Sequence, residues 1–307
     1  MEITSPHRTE CPLCGCVAAL HFSLAHTHVW RCLARECGLQ FARPQLDRAD
    51  LARAYTNLYY PAAENGDPTR LENTSDSILR QVFRQLEAQL GSLAGLRLLD
   101  YGCGRGTLLS VAIDLGMRPT GIESDPYARL AAARVNGALT YANLEELHSA
   151  EPGAQFDLII LWTVIEHLRQ PWHDLGRLRA LLRPHGRLLI STMDIRCLRA
   201  RIERHHWEQY RNPTHLYYFD ATSLRRGIHR AGFSKAAEWR PKIRFAHHNV
   251  LRRWLHHLTF ALGLADGLFF LCTKGTSPRR AEKDRQGDDH PAQRVSEQRN
   301  RAGVQIR

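Results

Sequence analysis

The sequence predicts an α/β fold whose sheet is covered on both faces, with a small cysteine-stapled element ahead of it. Three observations carry that prediction. Leu96–Leu109 reads LRLLDYGCGRGTLL: a short apolar run, an acid, three glycines at alternate positions, then a helical pattern. From Leu93 to Thr192 short apolar runs alternate with amphipathic, helix-length segments. Phe156–Trp162 (FDLIILW) is apolar almost without interruption, the character of a strand buried on both faces.

The 307 residues hold one large or two modest domains, and 43% hydrophobic content suffices for a sizeable core. A net charge of +11 permits an acidic partner such as RNA. The tail 276–307 supplies +3 of that, eight Lys/Arg against five Asp/Glu, and the rest is scattered. With no apolar periodicity, this tail is predicted to be disordered and basic. No apolar run approaches the roughly 18 residues that span a bilayer. The start, MEITSPHRTECPLC, lacks a secretory apolar core. Eight cysteines without an export signal point to a reducing, cytoplasmic setting and to metal rather than disulfides.

Residues 1–45 carry Cys11, Cys14, Cys32 and Cys37 in the spacing C-x2-C-x17-C-x4-C. Two close pairs of thiols on turns can place four sulfurs tetrahedrally around Zn2+ and staple a segment too small to bury a core. Four thiolates leave no open position for water, so the expected zinc is structural. Cys16, His26 and His28 are spare candidate ligands, each expected to stay outside the metal set.

Residues 46–92 read as a helical linker or lid. Leu51, Tyr55, Leu58 and Tyr59 recur at helical spacing, and Pro61 and Asn65–Pro68 break the pattern. A second helix puts Ile78, Val82, Phe83, Leu86 and Leu90 on one face and stops near Gly91. Tyr55, Tyr59 and Tyr60 either cover a ligand or pack a core between the two parts of the chain.

The main domain, 93–275, begins at the glycine turn. Strand, glycine turn and helix in that order suit a nucleotide-like ligand laid over the strand's carboxyl end. Glycine allows unusual dihedrals and close backbone approach. Gly-x-Gly-x-Gly is not the dinucleotide spacing, and Asp100 directly before it favours a cationic or hydroxyl-rich ligand over a phosphate. Pro119–Glu123 reads as a second strand ending in a carboxylate, where an open sheet places an acid for two ribose hydroxyls; a helix-capping role is the alternative. Ala128–Val135 is the next helix, and Asn143-Leu144 ends a third strand, a place for adenine contacts.

The fourth strand, Phe156–Trp162, leads into Glu166-His167. A histidine there titrates near neutrality and can remove a proton from a hydroxyl; fixing the loop is the structural alternative. Helix Leu175–Leu182, the Arg183–Gly186 turn and strand Arg187–Thr192 follow. Trp207, His215, Tyr217, Tyr218 and Phe219 form an aromatic cluster before the helix Ser223–Arg230. Strands six and seven are Phe233–Trp239 and Asp266–Thr273. Between them Val250–Leu264 has an apolar helical face with Arg252 and Arg253 nearby, suited to packing on the domain or to a lipid-like surface.

LRLLDYGCGRGTLL, GIESDP, FDLIILWTVIEHLRQP, LRALLRPHGRLLIST and NPTHLYYFDATSLRRGIHRAGF together resemble the class I S-adenosylmethionine-dependent methyltransferases, in particular the ubiquinone-biosynthesis-like branch. The amino end resembles the CxxCG…RCxxCGLxF element found ahead of some of them. The resemblance implies a Rossmann-like, seven-stranded mixed sheet with a small zinc ribbon. It implies S-adenosylmethionine as cofactor, held by Asp100, Gly102, Cys103, Gly104, Glu123, Ser124, Asn143, Leu144 and Trp162. The aromatic cluster would face the substrate, with His167 as proton acceptor, His215 as second candidate and Glu166 beside them. Some relatives bind a divalent metal through a further carboxylate ahead of the Glu-His pair; Thr163 stands there, so no catalytic metal is expected. The implied reaction is O-methylation of a small hydroxylated metabolite. An rRNA base methyltransferase is the enzyme alternative, and a non-catalytic cofactor-binding module that docks a partner through the ribbon is the alternative from another class.

Overall fold

A computed structural model describes residues 8–59, 68–243 and 266–275. Tyr60, Pro61, Asn65–Asp67, the Val250–Leu264 segment and the 276–307 tail lie outside them. The chain opens with four antiparallel strands, β1 (Arg8–Glu10), β2 (Val17–Ser23), β3 (His28–Cys32) and β4 (Gln40–Arg43). Helices α1 (Arg48–Tyr59) and α2 (Pro68–Leu90) follow where the periodicity places them. On α2, Val82, Phe83 and Leu86 are fully buried, packed with Leu98, Leu108 and Val111 of the main domain.

The main domain runs β5 (Arg97–Tyr101), α3 (Thr107–Asp114), β6 (Arg118–Ile122), α4 (Pro126–Ala132), β7 (Leu139–Tyr141), α5 (Leu144–Ala150), β8 (Phe156–Trp162), α6 (Pro171–Leu181) and β9 (Leu182–Met193). Then come α7 (Leu198–Glu203), α8 (Glu208–Arg211), β10 (Tyr217–Tyr218), α9 (Ala221–Arg230), β11 (Lys235–Glu238) and β12 (Gly267–Thr273). The sheet has seven strands in the order β11-β12-β9-β8-β5-β6-β7. β12 is antiparallel to both its neighbours and the remaining pairings are parallel, which is the expected mixed sheet. Leu158–Leu161 of β8 are buried on both faces, as their unbroken apolar run requires.

Several element boundaries differ from the sequence prediction, among them the end of α4 at Ala132 and the start of α6 at Pro171. The third strand stops at Tyr141, because the Asn143 side chain accepts the Glu146 N–H and caps α5 instead. Leu144 is therefore the first residue of a helix and is buried in the core. The chain is already paired at Leu182, and the predicted turn over Arg183–Gly186 loops out of the pairing, whose register jumps from Phe156–Leu182 to Leu158–Arg187. Pro184 keeps Arg183, the residue before it, out of the helical region, so the helix cannot run on. The sixth strand is also shorter than predicted, Lys235–Glu238.

The amino-terminal sheet is not self-contained. β10 pairs with β4, Tyr217 opposite Phe41 and Tyr218 opposite Gln40, and becomes its fifth strand. Trp207, Tyr210 and Tyr218 are buried against Val29 and Ala42. The aromatic cluster expected to face a substrate thus mostly fastens the two sheets' surroundings together. Of its members, only His215 faces the large cleft described below.

α9 packs closely against α6 at Gly227, where a Cβ would stand 1.9 Å from the Trp172 ring. Gly227→Ala is expected to destabilise the fold by about 1–3 kcal/mol through overpacking, measured by denaturant unfolding.

Candidate functional site

The sheet order sets the site. β5 pairs with β6 on one side and β8 on the other, so their carboxyl ends open a crevice at a topological switch point. At the end of β5 the chain turns sharply: the N–H groups of Gly102 and Cys103 both donate to the Ile122 carbonyl, at 2.8 and 2.9 Å. Gly102 has φ +86°, and a Cβ on it would lie 2.5 Å from Val164 Cγ2. Only glycine meets both demands.

Glu123 follows directly after β6. Its Oε2 accepts the Gly104 N–H at 2.9 Å and its Oε1 accepts the Asp125 N–H at 2.7 Å. One buried carboxylate thereby ties the glycine turn to the loop after β6. Each carboxylate oxygen has a second lone pair, so acceptor capacity remains for a ligand. Burial raises the Glu123 pKa. Asp100, also buried, is pushed up to about 8 by burial and then by the Glu123 charge. Asp125, two residues on, caps α4 and accepts the Thr56 hydroxyl of α1 at 2.5 Å.

Two cavities occupy the crevice. The larger, about 810 Å³, is lined by Asp100, Gly102, Cys103, Gly104, Trp162, Glu166, His167 and His215. The smaller, about 410 Å³, is lined by Glu123, Ser124, Asp125, Ala142 and Asn143. Tyr55, Gly102, Val164 and His167 line both. Every predicted cofactor residue except Leu144 borders one cavity or the other; Leu144 packs in the core because α5 starts there.

α1 borders both cavities, and this was legible only as an undecided aromatic stripe. The rings of Tyr55 and Tyr59 meet His167 edge-on at 5.5 and 5.8 Å. The cleft wall therefore claims these tyrosines, and no residue of α1 is buried.

After β8, Thr163 takes φ +53°, unusual for a β-branched residue, with its N–H held by the Ser191 carbonyl at 2.9 Å. This reversal feeds a short 3-10 turn, Ile165–His167. Glu166 is buried, accepts the Thr192 hydroxyl at 2.9 Å, and burial raises it to about 7. His167 Nδ1 donates to the Thr214 carbonyl at 3.0 Å, which leaves Nε2 as the unprotonated nitrogen. Burial lowers His167 to about 4 and His215 to about 3. Both rings are neutral at physiological pH.

The two histidines are not equivalent. Asn212 Oδ1 accepts from the Thr214 N–H and hydroxyl, at 3.0 and 2.7 Å. Its amide nitrogen must then donate, to the Tyr59 oxygen at 2.7 Å and to His215 Nε2 at 3.1 Å. His215 Nδ1 in turn donates to the Gln209 carbonyl at 3.0 Å. Both His215 nitrogens are engaged, whereas His167 presents a lone pair. Ligand atoms of Glu166, His167 and His215 converge within 4.8 Å of one another. With His215 saturated and Thr163 supplying no carboxylate, that set suits a proton acceptor better than a divalent cation. Asn212, which fixes this arrangement, has no signal in the sequence beyond lying in the NPTH segment.

A second cluster lies in the amino-terminal sheet. The sulfurs of Cys11, Cys14, Cys32 and Cys37 all lie within 4.8 Å of one another. Cys11 and Cys37 are 3.7 Å apart and Cys14 and Cys32 3.5 Å. A tetrahedron of sulfurs about 2.3 Å from zinc has edges of about 3.8 Å, so these four thiols fit the ion. Cys16 is exposed and outside the cluster.

A family model described as "Methyltransferase domain" matches residues 72–238, more than half the chain. The chain belongs to this methyltransferase family. Among curated relatives, the ubiquinone biosynthesis O-methyltransferase of Bradyrhizobium sp. (strain ORS 278) is 32% identical over 133 residues, 42% of this chain and 51% of that one. That of Rhodopseudomonas palustris (strain BisB5) is 31% identical over 168 residues, 49% of this chain and 64% of that one. The matches thus span about half to two thirds of those proteins. Among solved structures, Burkholderia thailandensis 1,6-didemethyltoxoflavin-N1-methyltransferase covers 84% of this chain and 99% of its own at 18% identity, TM-score 0.50. A chain in the complex of the Haloferax volcanii Trm112 activator with a methyltransferase covers 68% of this chain and 95% of its own at 14% identity, TM-score 0.51. These likenesses establish the class I methyltransferase fold. Among the described residues no helix is long and apolar enough to cross a membrane.

Glu166 holds its proton more tightly folded than unfolded, about 7 against 4.5. Its contribution to stability is full below pH 4.5 and is lost as pH rises through 7. Glu166→Gln removes that titration. Relative to the parent, the variant is expected to gain ~3 kcal/mol between pH 4.5 and pH 8, measured by denaturant unfolding at both pH values.

Proposed function

We propose that this protein methylates a hydroxyl oxygen of a small hydroxylated acceptor, using S-adenosylmethionine. The observation that carries the reading is one crevice lined by Asp100, the glycine turn and Glu123, with His167 bordering both of its cavities and its Nε2 left unprotonated. The family match and the O-methyltransferase names of the curated relatives support it.

When bound, the cofactor supplies a methyl group on a sulfonium, already activated toward an incoming oxygen. Glu123 accepts the ribose hydroxyls while keeping its two backbone donors. Asp100 answers the ligand's positive charge, and Gly102 and Gly104 let the backbone approach closely. Ser124 and Asn143 border the adenine end. The protein's further task is alignment of the two reactants, the largest part of catalysis for an activated donor. His167 Nε2 takes the hydroxyl proton as the oxygen acquires the methyl, and nearby Glu166 stabilises the imidazolium. His215 and Asn212 hold the surrounding geometry. The four cysteine sulfurs bind a structural zinc ion.

Labelled S-adenosylmethionine incubated with fractionated cell extract is expected to deliver label to small molecules. Label in RNA would replace the acceptor class, and cofactor binding with no label transferred anywhere would mark a non-catalytic module. With an acceptor in hand, His167→Ala is expected to slow methyl transfer about 100-fold while S-adenosylhomocysteine affinity stays near the parent's. Glu123→Ala is expected to weaken that affinity at least about tenfold, read by calorimetry.

A further inference from the structure

The amino-terminal sheet touches the candidate site at a place the methyltransferase family match does not explain. The Ala42 N–H in β4 donates to the Leu216 carbonyl at 2.9 Å, and the Leu216 N–H donates to the Glu166 carbonyl at 2.8 Å. Thr214, two residues earlier, supplies the carbonyl that fixes the His167 tautomer. Gln40 continues the contact, its Oε1 accepting the Tyr210 hydroxyl at 2.8 Å. Two hydrogen bonds thus lead from β4 to the Glu166 backbone, and the short chain from Leu216 back to Thr214 carries the contact on to the His167 ring.

β4 is itself set by the thiol cluster. Cys32 ends β3, Cys37 stands three residues before β4, and the Cys32 N–H donates to the Leu39 carbonyl at 2.9 Å. The other knuckle is clasped from the main domain. On α9, Arg230 donates to the carbonyls of Pro12, at 3.3 Å, and Leu13, while Arg226 reaches that of Glu36 at 3.5 Å. Both cysteine loops are therefore gripped by one helix, and the hairpin between them leans on the catalytic loop.

Among the described residues no hydrogen bond from the cysteine sheet reaches the glycine turn; the Thr56 hydroxyl on Asp125 comes from α1. The hydrogen bonds that shape the glycine turn run to Ile122 and Glu123, within the seven-stranded sheet and its loops.

We propose that the zinc-closed cysteine sheet is the positioning element for His167, acting through Ala42, Leu216 and Thr214 and not through the cofactor cavity. The inference rests on the zinc and proton-acceptor assignments of the proposed function. It makes the ribbon a support for one end of the crevice only. Loss of the metal loosens β4, releases Leu216, and frees the His167 ring, while the Glu123 end keeps its shape.

The test uses the full-length zinc-loaded protein, a zinc chelator and S-adenosylhomocysteine. The readouts are amide hydrogen exchange at Leu216 and the side-chain nitrogen resonance of His167, assigned with His167→Gln. After zinc removal the Leu216 amide is expected to lose at least about tenfold of its protection. The His167 Nδ1–H signal is expected to vanish by solvent exchange, with S-adenosylhomocysteine affinity changed less than about threefold. Protection and tautomer both unchanged after zinc removal would overturn the proposal. If zinc removal also abolishes ligand binding, Ala42→Pro decides, because it deletes the one N–H that reaches Leu216 and leaves every cysteine in place. Zinc retained, ligand bound and the His167 signal lost sustains the inference; an unchanged His167 signal ends it. Failure of the zinc-loaded parent to bind S-adenosylhomocysteine at all is a separate result, against the proposed function itself.

Discussion

The glycine-turn side of the crevice depends on Glu123. Its buried carboxylate accepts one N–H from the glycine turn and one from the loop that starts α4, so two chain reversals share a single anchor. Burying a carboxylate is costly unless its charge is met by donors. Here the donors are backbone groups that had no other use at the ends of β5 and β6. The arrangement ties the glycine turn to the loop after β6 from within the sheet. Burial raises Asp100, and the Glu123 charge nearby raises it further.

The opposite end is built differently. Glu166 and His167 sit on a short turn reached through Thr163 in a left-handed conformation, and their orientation is borrowed from elements distant in the chain. Thr192 holds the Glu166 side chain, Thr214 the His167 ring, and Leu216 the backbone between. One end of the crevice is therefore determined by local strand-end geometry and the other by tertiary contacts. The first tolerates little change in sequence, since glycine and a carboxylate are demanded at fixed positions. The second can be satisfied by many combinations of partners.

That division also explains what was legible in the sequence. The glycine turn, Asp100, Glu123 and the unbroken FDLIILW strand are local signals, and the structure places each where the pattern put it. The thiol quartet was equally plain, because its geometry is written in residue spacing. Asn143 and Leu144 were misread because a capping side chain and a strand end look alike in one dimension. The aromatic run around Tyr217 was misread for a deeper reason. Its partner strand lies far earlier in the chain, and no periodicity in Tyr217–Phe219 announces pairing with Gln40 and Phe41. The distinction between His167 and His215 was invisible for the same reason, since it turns on the amide orientation of Asn212.

The strand β10 carries a consequence for how the molecule is made. During synthesis residues 8–43 leave the ribosome well before Tyr217 and Tyr218, and until those two emerge the sheet lacks its last strand. At elongation rates of about 5–20 residues per second, that interval is roughly 10–35 seconds. Throughout it β4 presents an unpaired edge of backbone donors and acceptors, the kind of surface that recruits neighbouring chains. Metal capture by the early thiols during that interval would keep the nascent hairpin closed while its partner is still being translated.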